Sequence, residues 1–301
     1  MKSFWAMVKR NTKLFFYDKG MFFTSLITPM ILIVLFVTFL GKAYRDSLIS
    51  SIPEGIIIPE SVIEAFVGGW LFSSLLAVCC VTVAFCSNML MVQDKVTGAA
   101  LDIQITPVKT APLAGGYYVS TAISTLIICG AALCICFIYL LNVGWYLTLK
   151  DIILTVIDVF LLVMLGTALS SLINFFLKTQ GQISAVGTIV SSGYGFICGA
   201  YMPISQFSPF IRKLIAFLPG TYGTSLLRNH LLEGPLREME KNYLPYEAAE
   251  GIKEAFDSKL YLFGVEVTEP YMYLILVSSI IFILGLYLLF NFISSKKHRK
   301  K

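Results

Sequence analysis

The sequence predicts an all-α polytopic membrane protein. Six transmembrane helices are expected, with an N-terminal interfacial amphipathic helix and a re-entrant helical element before the last span. Three observations predict this. Six stretches carry almost no charge: Met21–Leu40, Ala65–Gln93, Thr110–Leu149, Val159–Leu177, Thr179–Ile211 and Pro270–Ser295. Each reaches the ~20 apolar residues that a helix needs to cross the hydrocarbon. Only helices and closed barrels satisfy every backbone polar group in lipid, and these runs lack the alternation of barrel strands. The composition agrees, with 57% hydrophobic and 14% charged residues and a mean hydropathy of +0.79, where a soluble domain carries about 25% charge. Finally, 301 residues leave no room beside six spans for a separate soluble catalytic domain of ~100 residues.

Residues 1–20 read as a helix lying in the headgroup plane. Phe4, Trp5, Val8, Phe15 and Phe16 share one face, and Lys2, Lys9, Arg10 and Lys13 the other. The membrane domain occupies 21–301, with spans near 21–41, 65–91, 112–141, 152–177, 181–202 and 271–293. The first run is too long for a signal-peptide core and lacks a small-x-small site, so it reads as a retained span. In span two, Gly68-Gly69 and Ser73-Ser74 suit close helix approach. In loop 93–111, Val96, Ala99, Ala100 and Ile103 are spaced as one helical stripe that Pro107 stops. Asp158 lies one to two turns inside span four. An intramembrane carboxylate is a functional candidate by default, though interfacial water is within its reach.

Span five is rich in Gly and Ser, and Pro203 and Pro209 follow it. The apolar piece Leu214–Leu227, interrupted by Pro219-Gly220, is too short to span, so residues 205–230 read as re-entrant. The external segment 233–269 holds nine acids and four bases. Pro245 with Ala248, Ile252, Phe256 and Leu260 reads there as one amphipathic helix. Tyr271 and Tyr273 are expected at the outer interface.

Charge sets the orientation. The two termini, loop 93–111 and the turn at Lys178 together hold 13 bases and 3 acids. The other side holds 10 bases and 14 acids, with Asp158 set aside. Positive-inside counting places both termini in the cytoplasm of a plasma (inner) membrane. The seven cysteines all fall in uncharged runs and read as packing residues. Together with the compact size, that distribution points to a bacterial protein.

Much chemistry is missing. No phosphate-loop motif occurs, and Gly115-Gly116 lacks the lysine and the preceding strand. The two histidines, His230 and His298, are far apart and give no metal site. Beyond Asp158 the spans hold almost no ionisable groups, which secondary carriers place near the midplane. The chain is therefore expected not to be an enzyme, to bind no nucleic acid and to carry no cofactor. Any uphill transport draws its energy from another chain.

The order of these parts resembles the membrane (permease) subunit of type 2 ABC exporters. In that family the loop after span two reads as an acid, then Gly-Thr-Leu-Glu, then Thr-Pro, then Gly-Lys. Here Asp94, Gly98, Thr106-Pro107 and Gly116 hold matching spacing. Ala99 replaces the Thr, Asp102 sits one place late and Tyr117 replaces the Lys. A second match runs through Gly199, Pro203, Pro209, Pro219-Gly220-Thr221-Tyr222 and Arg228. The resemblance implies a cytoplasmic ABC ATPase dimer that carries ATP and Mg. Two membrane subunits, identical or different, would sit above it. A coupling helix in the loop of Asp94, Lys95, Gly98, Leu101, Asp102, Thr106 and Pro107 would dock on the ATPase. Family members export drugs, peptide antibiotics, lipids and polysaccharides, so a small amphipathic or hydrophobic substrate is expected. The alternatives are a stand-alone carrier or channel using Asp158, and a membrane scaffold that binds through 233–269.

Overall fold

The computed structural model describes residues 2–105, 110–201, 203–262 and 264–298. Among them the chain is almost entirely α-helical. Helix α1 (Lys2–Tyr17) leads into α2 (Lys19–Leu35), a π-helical turn at Phe36–Leu40 and α3 (Gly41–Ser50). Then come α4 (Glu60–Val96), α5 (Ala99–Ile105), α6 (Thr110–Val143), α7 (Leu149–Phe176) and α8 (Gln180–Ile197). Helices α9 (Pro209–Ala216), α10 (Pro219–Asn242) and α11 (Tyr246–Ala255) follow. A hairpin of β1 (Leu260–Leu262) and β2 (Val265–Val267) precedes α12 (Glu269–His298). The hairpin is antiparallel, with Leu260 opposite Val267.

Helix α4 is the axis of the bundle. Its 37 residues rise ~55 Å, and its most apolar stretch is 94% buried, against at most 50% in the other long apolar helices. Helices α2, α6, α7, α8 and α10 all lie against it. Small residues permit this. A Cβ at Gly69 would lie 2.9 Å from the Leu231 carbonyl oxygen of α10, and one at Gly166 of α7 would lie 2.7 Å from the Cys80 carbonyl oxygen. Lipid supplies no hydrophobic force between helices, so such close backbone packing and interhelical hydrogen bonds hold them together. One of these joins α4 to α7, where Asn88 Nδ2 donates to Ser170 Oγ at 3.1 Å and Ser171 Oγ at 3.0 Å. The N-termini of α7 and α8 are closed by capping boxes, Thr148/Asp151 and Thr179/Gln182.

Among the described residues, five helices are long and apolar enough to cross a membrane: Lys19–Ser50, Glu60–Val96, Pro112–Val143, Leu149–Phe176 and Glu269–Ser294. Helix α8, the expected fifth span, is shorter and more polar and is not among them. The first of the five does not end near residue 41. It continues through α3 because Tyr44 and Leu48 find buried partners while Lys42 and Asp46 stay outside. At 32 residues it rises ~48 Å, well beyond a ~30 Å hydrocarbon layer. The excess lengths of α3 and α4 meet α10 and α11 in a second core of Tyr44, Ile63, Trp70, Leu236, Met239 and Phe256. It lies at the end that carries the hairpin, opposite the α1 end.

The run Leu214–Leu227 is the end of α9 and the start of α10, with Pro219 at the first turn of α10, where the sequence placed the interruption of a re-entrant element. Segment 233–269 begins inside α10, which passes through the buried Pro235. Leu260 lies on β1 and not on the helix after Pro245. Helix α11 ends at Ala255, and Asp257 turns the chain with a φ of 55°. All seven cysteines are free, and all but Cys134 are buried.

The close approach of α7 to α4 has a measurable cost. Gly166→Ala should destabilise the purified protein by about 1–3 kcal/mol, the usual penalty of overpacking. Gly130→Ala meets no atom within 4 Å and should leave thermal unfolding in detergent unchanged or slightly higher. Equal midpoints for the two variants would contradict the packing.

Candidate functional site

At the α1 end, two consecutive residues close α4. Asp94 is 4% exposed and is gripped by Arg10, with Nη1 donating to Oδ2 at 2.7 Å and Nη2 to Oδ1 at 2.9 Å. The Tyr117 hydroxyl of α6 donates to Oδ2 at 2.6 Å. A forked guanidinium on a carboxylate is the strong, orienting form of this contact. The bond to Asp94 holds the Arg10 pKa above its ordinary value. Lys95 turns the other way. Its Nζ donates to the carbonyls of Phe175 at 2.8 Å, Asn174 at 3.0 Å and Leu177 at 3.3 Å. These are carbonyls at the C-terminus of α7, which a cation suits on both counts. The end of α4 is thus tied to α1, α6 and α7.

Beyond it, Gly98 takes a φ of +85°, a conformation that glycine adopts without strain. The chain leaves α4 there and restarts as α5. Leu101 is 65% exposed and Asp102 is exposed. Ile103 packs beside Met7, Met91, Ala114, Tyr117 and Tyr287. Thr106 and Pro107 lie outside the described residues. Val96, expected on the same stripe as Ile103, is exposed. It belongs to α4, and Gly98 breaks the period between the two helices. Helix α1 is also turned relative to expectation. It buries Met7, Val8, Asn11 and Phe15 and leaves Trp5 56% exposed. Gly115 and Gly116 of α6 admit Phe4 and Met7, which brings Arg10 inward to Asp94.

The second group of sequence-marked residues forms a clasp. Pro209 opens α9 and Pro219 opens α10. Thr221 Oγ1 donates to the Ile215 carbonyl at 3.0 Å, and the Tyr222 hydroxyl donates to the Ala216 carbonyl at 2.6 Å. Both bonds fasten α10 to the end of α9. A Cβ at Gly220 would lie 2.4 Å from the Tyr194 hydroxyl oxygen of α8. Further along α10, Arg228 is 1% exposed. Its Nη1 pairs with Asp257 Oδ2 at 3.1 Å, its Nη2 donates to the Gly199 carbonyl, and its guanidinium lies 5.0 Å from the Trp70 ring. Asp257 also accepts from the Ile204 amide at 2.5 Å.

Asp158 is not at interfacial water. It is 0% exposed, with His230 Nδ1 at 2.5 Å from Oδ2 and the Tyr273 hydroxyl donating to Oδ1 at 2.6 Å. Both carboxylate oxygens are occupied, so the group bolts α7 to α10 and α12. Tyr273, expected at the interface, turns inward to make this contact, while Tyr271 is exposed. His230, Asp257, Tyr273 and Arg10 were not legible as partners. They lie 29 to 115 positions from the residues they bind. The rarity of charge inside apolar runs marked Asp158, and the family motifs marked Asp94 and Arg228.

The family model of the ABC-2 type transporter matches residues 2–232. Searches of curated proteins and of solved structures returned no match. The matched stretch includes the α4–α5 corner, the α9–α10 clasp and Arg228, and it ends inside α10.

The Arg10–Asp94 fork yields a prediction. Arg10→Met leaves a buried carboxylate with one donor and should cost about 1–3 kcal/mol. Arg10→Lys should recover only part, because an ammonium cannot form the fork. Thermal unfolding in detergent reads both, and full recovery by lysine would refute the forked contact. With its tied α4 corner, multi-pass apolar helices and a family match over most of its length, the chain belongs to the ABC-2 type transporter family as a membrane-embedded permease.

Proposed function

We propose that the chain is the membrane subunit of an ATP-driven exporter of small amphipathic or hydrophobic substrates, such as drugs, peptide antibiotics or lipids. A separate cytoplasmic ABC ATPase dimer holds the ATP and Mg, and a second membrane subunit, identical or related, completes the path. The observation that carries this reading is the α4–α5 corner. Leu101 stands exposed on a short helix behind Gly98, while Asp94 and Lys95 join that corner to three other helices. A partner that grips α5 therefore moves α1, α4, α6 and α7 together. ATP binding drives transport only so far as it favours one arrangement of these helices over another.

The α1 end is cytoplasmic in this reading, since it holds the basic termini. Helix α8 serves as the sixth span. Its 18 residues rise ~27 Å, close to the thickness of the hydrocarbon. The α9–α10 turn dips into the layer from outside. Gly223 meets Leu162, which lies ~21 Å from the far end of α7 in a ~30 Å layer. The occupied oxygens of Asp158 favour this reading over a stand-alone carrier or channel that would need a free carboxylate.

Purification from native membranes in mild detergent should recover an ATP-binding-cassette subunit in stoichiometric amount. Leu101→Glu should lower its retention or its transport-linked ATP hydrolysis by about tenfold or more, a loss that a disrupted interface anchor commonly produces. The variant should unfold at the wild-type temperature, because the side chain is exposed. Recovery of the chain alone, or an unaffected Leu101→Glu complex, would overturn the proposal.

A further inference from the structure

A groove of about 460 Å³ opens at the hairpin end between α9, the start of α10 and the β-hairpin. Ile215, Tyr222 and Leu260 form its apolar floor, and Arg212, Lys213 and Glu254 are among its polar lining. That volume suits one polar headgroup with the start of its chains.

The charges around the groove are not equally committed. Asp257 is held by Arg228 and the Ile204 amide. Lys259 is held by Glu250, with Glu266 at 3.8 Å. Arg212 and Lys213 are exposed and make no ion pair or side-chain hydrogen bond among the described residues, and the same holds for Glu254. Two cations and one anion are therefore left open to a ligand. On the same short helix, Phe210 is 77% and Leu214 59% exposed. Basic and bulky apolar side chains interleaved on one helix suit the boundary between headgroups and acyl chains. The depth of the α9–α10 turn places α9 near that boundary.

We propose that this groove binds an anionic phospholipid of the leaflet at the hairpin end, with its phosphate on Arg212 and Lys213 and its acyl chains over Phe210 and Leu214. Arg212 and Lys213 donate charge-assisted hydrogen bonds to the phosphate oxygens. The excess of one open positive charge selects a headgroup with a net negative charge. Glu254 sets the limit, because it repels the same phosphate. This site goes beyond the transport reading and does not depend on an ATPase, since the isolated chain contains every residue of it.

The test uses the full chain in phosphatidylcholine proteoliposomes doped with a diazirine-bearing phosphatidylglycerol, and with the matching phosphatidylcholine probe. Light-induced adducts are mapped by mass spectrometry. Phosphatidylglycerol should label 209–217 and the hairpin well above phosphatidylcholine. Replacing both cations (Arg212→Gln with Lys213→Gln) should cut that label by about tenfold. Glu254→Gln should raise it by about threefold, a gain that a misfolded variant would not give. Lys241→Gln, at the far end of α10, should leave it unchanged. Equal labelling by the two probes, an undiminished signal in the double variant, or displacement by millimolar inorganic phosphate would each overturn the proposal.

Discussion

Enclosing α4 sets how its neighbours must pack. A helix enclosed on all sides within a membrane protein cannot rely on water to drive its neighbours against it, so contact area and polar ties must hold them. The sequence of α4 answers with small side chains. Gly69, Ser73, Ser74, Cys79, Cys80, Ala84 and Ser87 are all buried. Each shortens the distance at which another backbone can lie. The close approaches at Gly69 and Gly166 bring in two neighbours, α10 and α7, which also pack on each other. Asn88 then adds two hydrogen bonds to α7 at a depth where no water competes. The buried cysteines fit the same pattern as small, weakly polar packing groups.

Polar ties are concentrated at the two ends. At the α1 end, Asp94 and Lys95 fix α4 to three helices within two residues. At the hairpin end, Asp158 joins α7, α10 and α12, and Arg228 joins α10 to the chain after α8 and to the turn before the hairpin. Among the described residues each buried charge has a partner, as its desolvation demands. Between the ends the buried polar side chains are uncharged, small hydroxyls such as Ser74, Ser124, Thr125 and Thr167 together with Asn88, set among apolar ones. A displacement imposed at the α1 end is therefore carried by tightly packed helices and meets a second set of fixed points at the hairpin end.

The sequence disclosed the parts that follow from local composition and hid those that follow from distant contacts. The five long apolar helices were legible because lipid imposes a length and a polarity on each span. Gly98 and the Pro219-Gly220-Thr221-Tyr222 motif were marked by the family resemblance; in the structure Gly98 has a φ of +85° and Pro219 opens α10. The extension of the first span to Ser50 was not legible, because polar helix outside the bilayer is stabilised by Tyr44 and Leu48 meeting Trp70 and Phe256 from elsewhere in the chain. The partners of Asp158 were hidden for the same reason: His230 is 72 residues away and Tyr273 is 115. The rotation of α1 escaped a reading by periodicity because Phe4 and Met7 seat on Gly115 and Gly116 of α6, a contact more than a hundred residues away in sequence.

Helix α8 stands apart from this scheme. Among the described residues, the side-chain hydrogen bonds of Ser184, Thr188 and Ser192 all return to the carbonyl four residues earlier in the same helix. Such back-bonding slightly weakens and bends a helix and commits nothing to a neighbour. Most of α8 is only partly covered, with Ile183 and Gly195 its buried residues, and its packing is chiefly against α4. Its N-terminal capping box is local, and Gly199 follows its end with a φ of +72°. Helices α4, α7 and α10 cannot tilt without separating a buried charge from its partner. Helix α8 itself is held by apolar contact, with polar ties only just past its end, where Arg228 binds the Gly199 carbonyl and Tyr44 the Tyr201 carbonyl, and exchanging one apolar contact for another costs less than exposing a charge. A helix that holds no charged side chain of its own can therefore shift without breaking an ion pair.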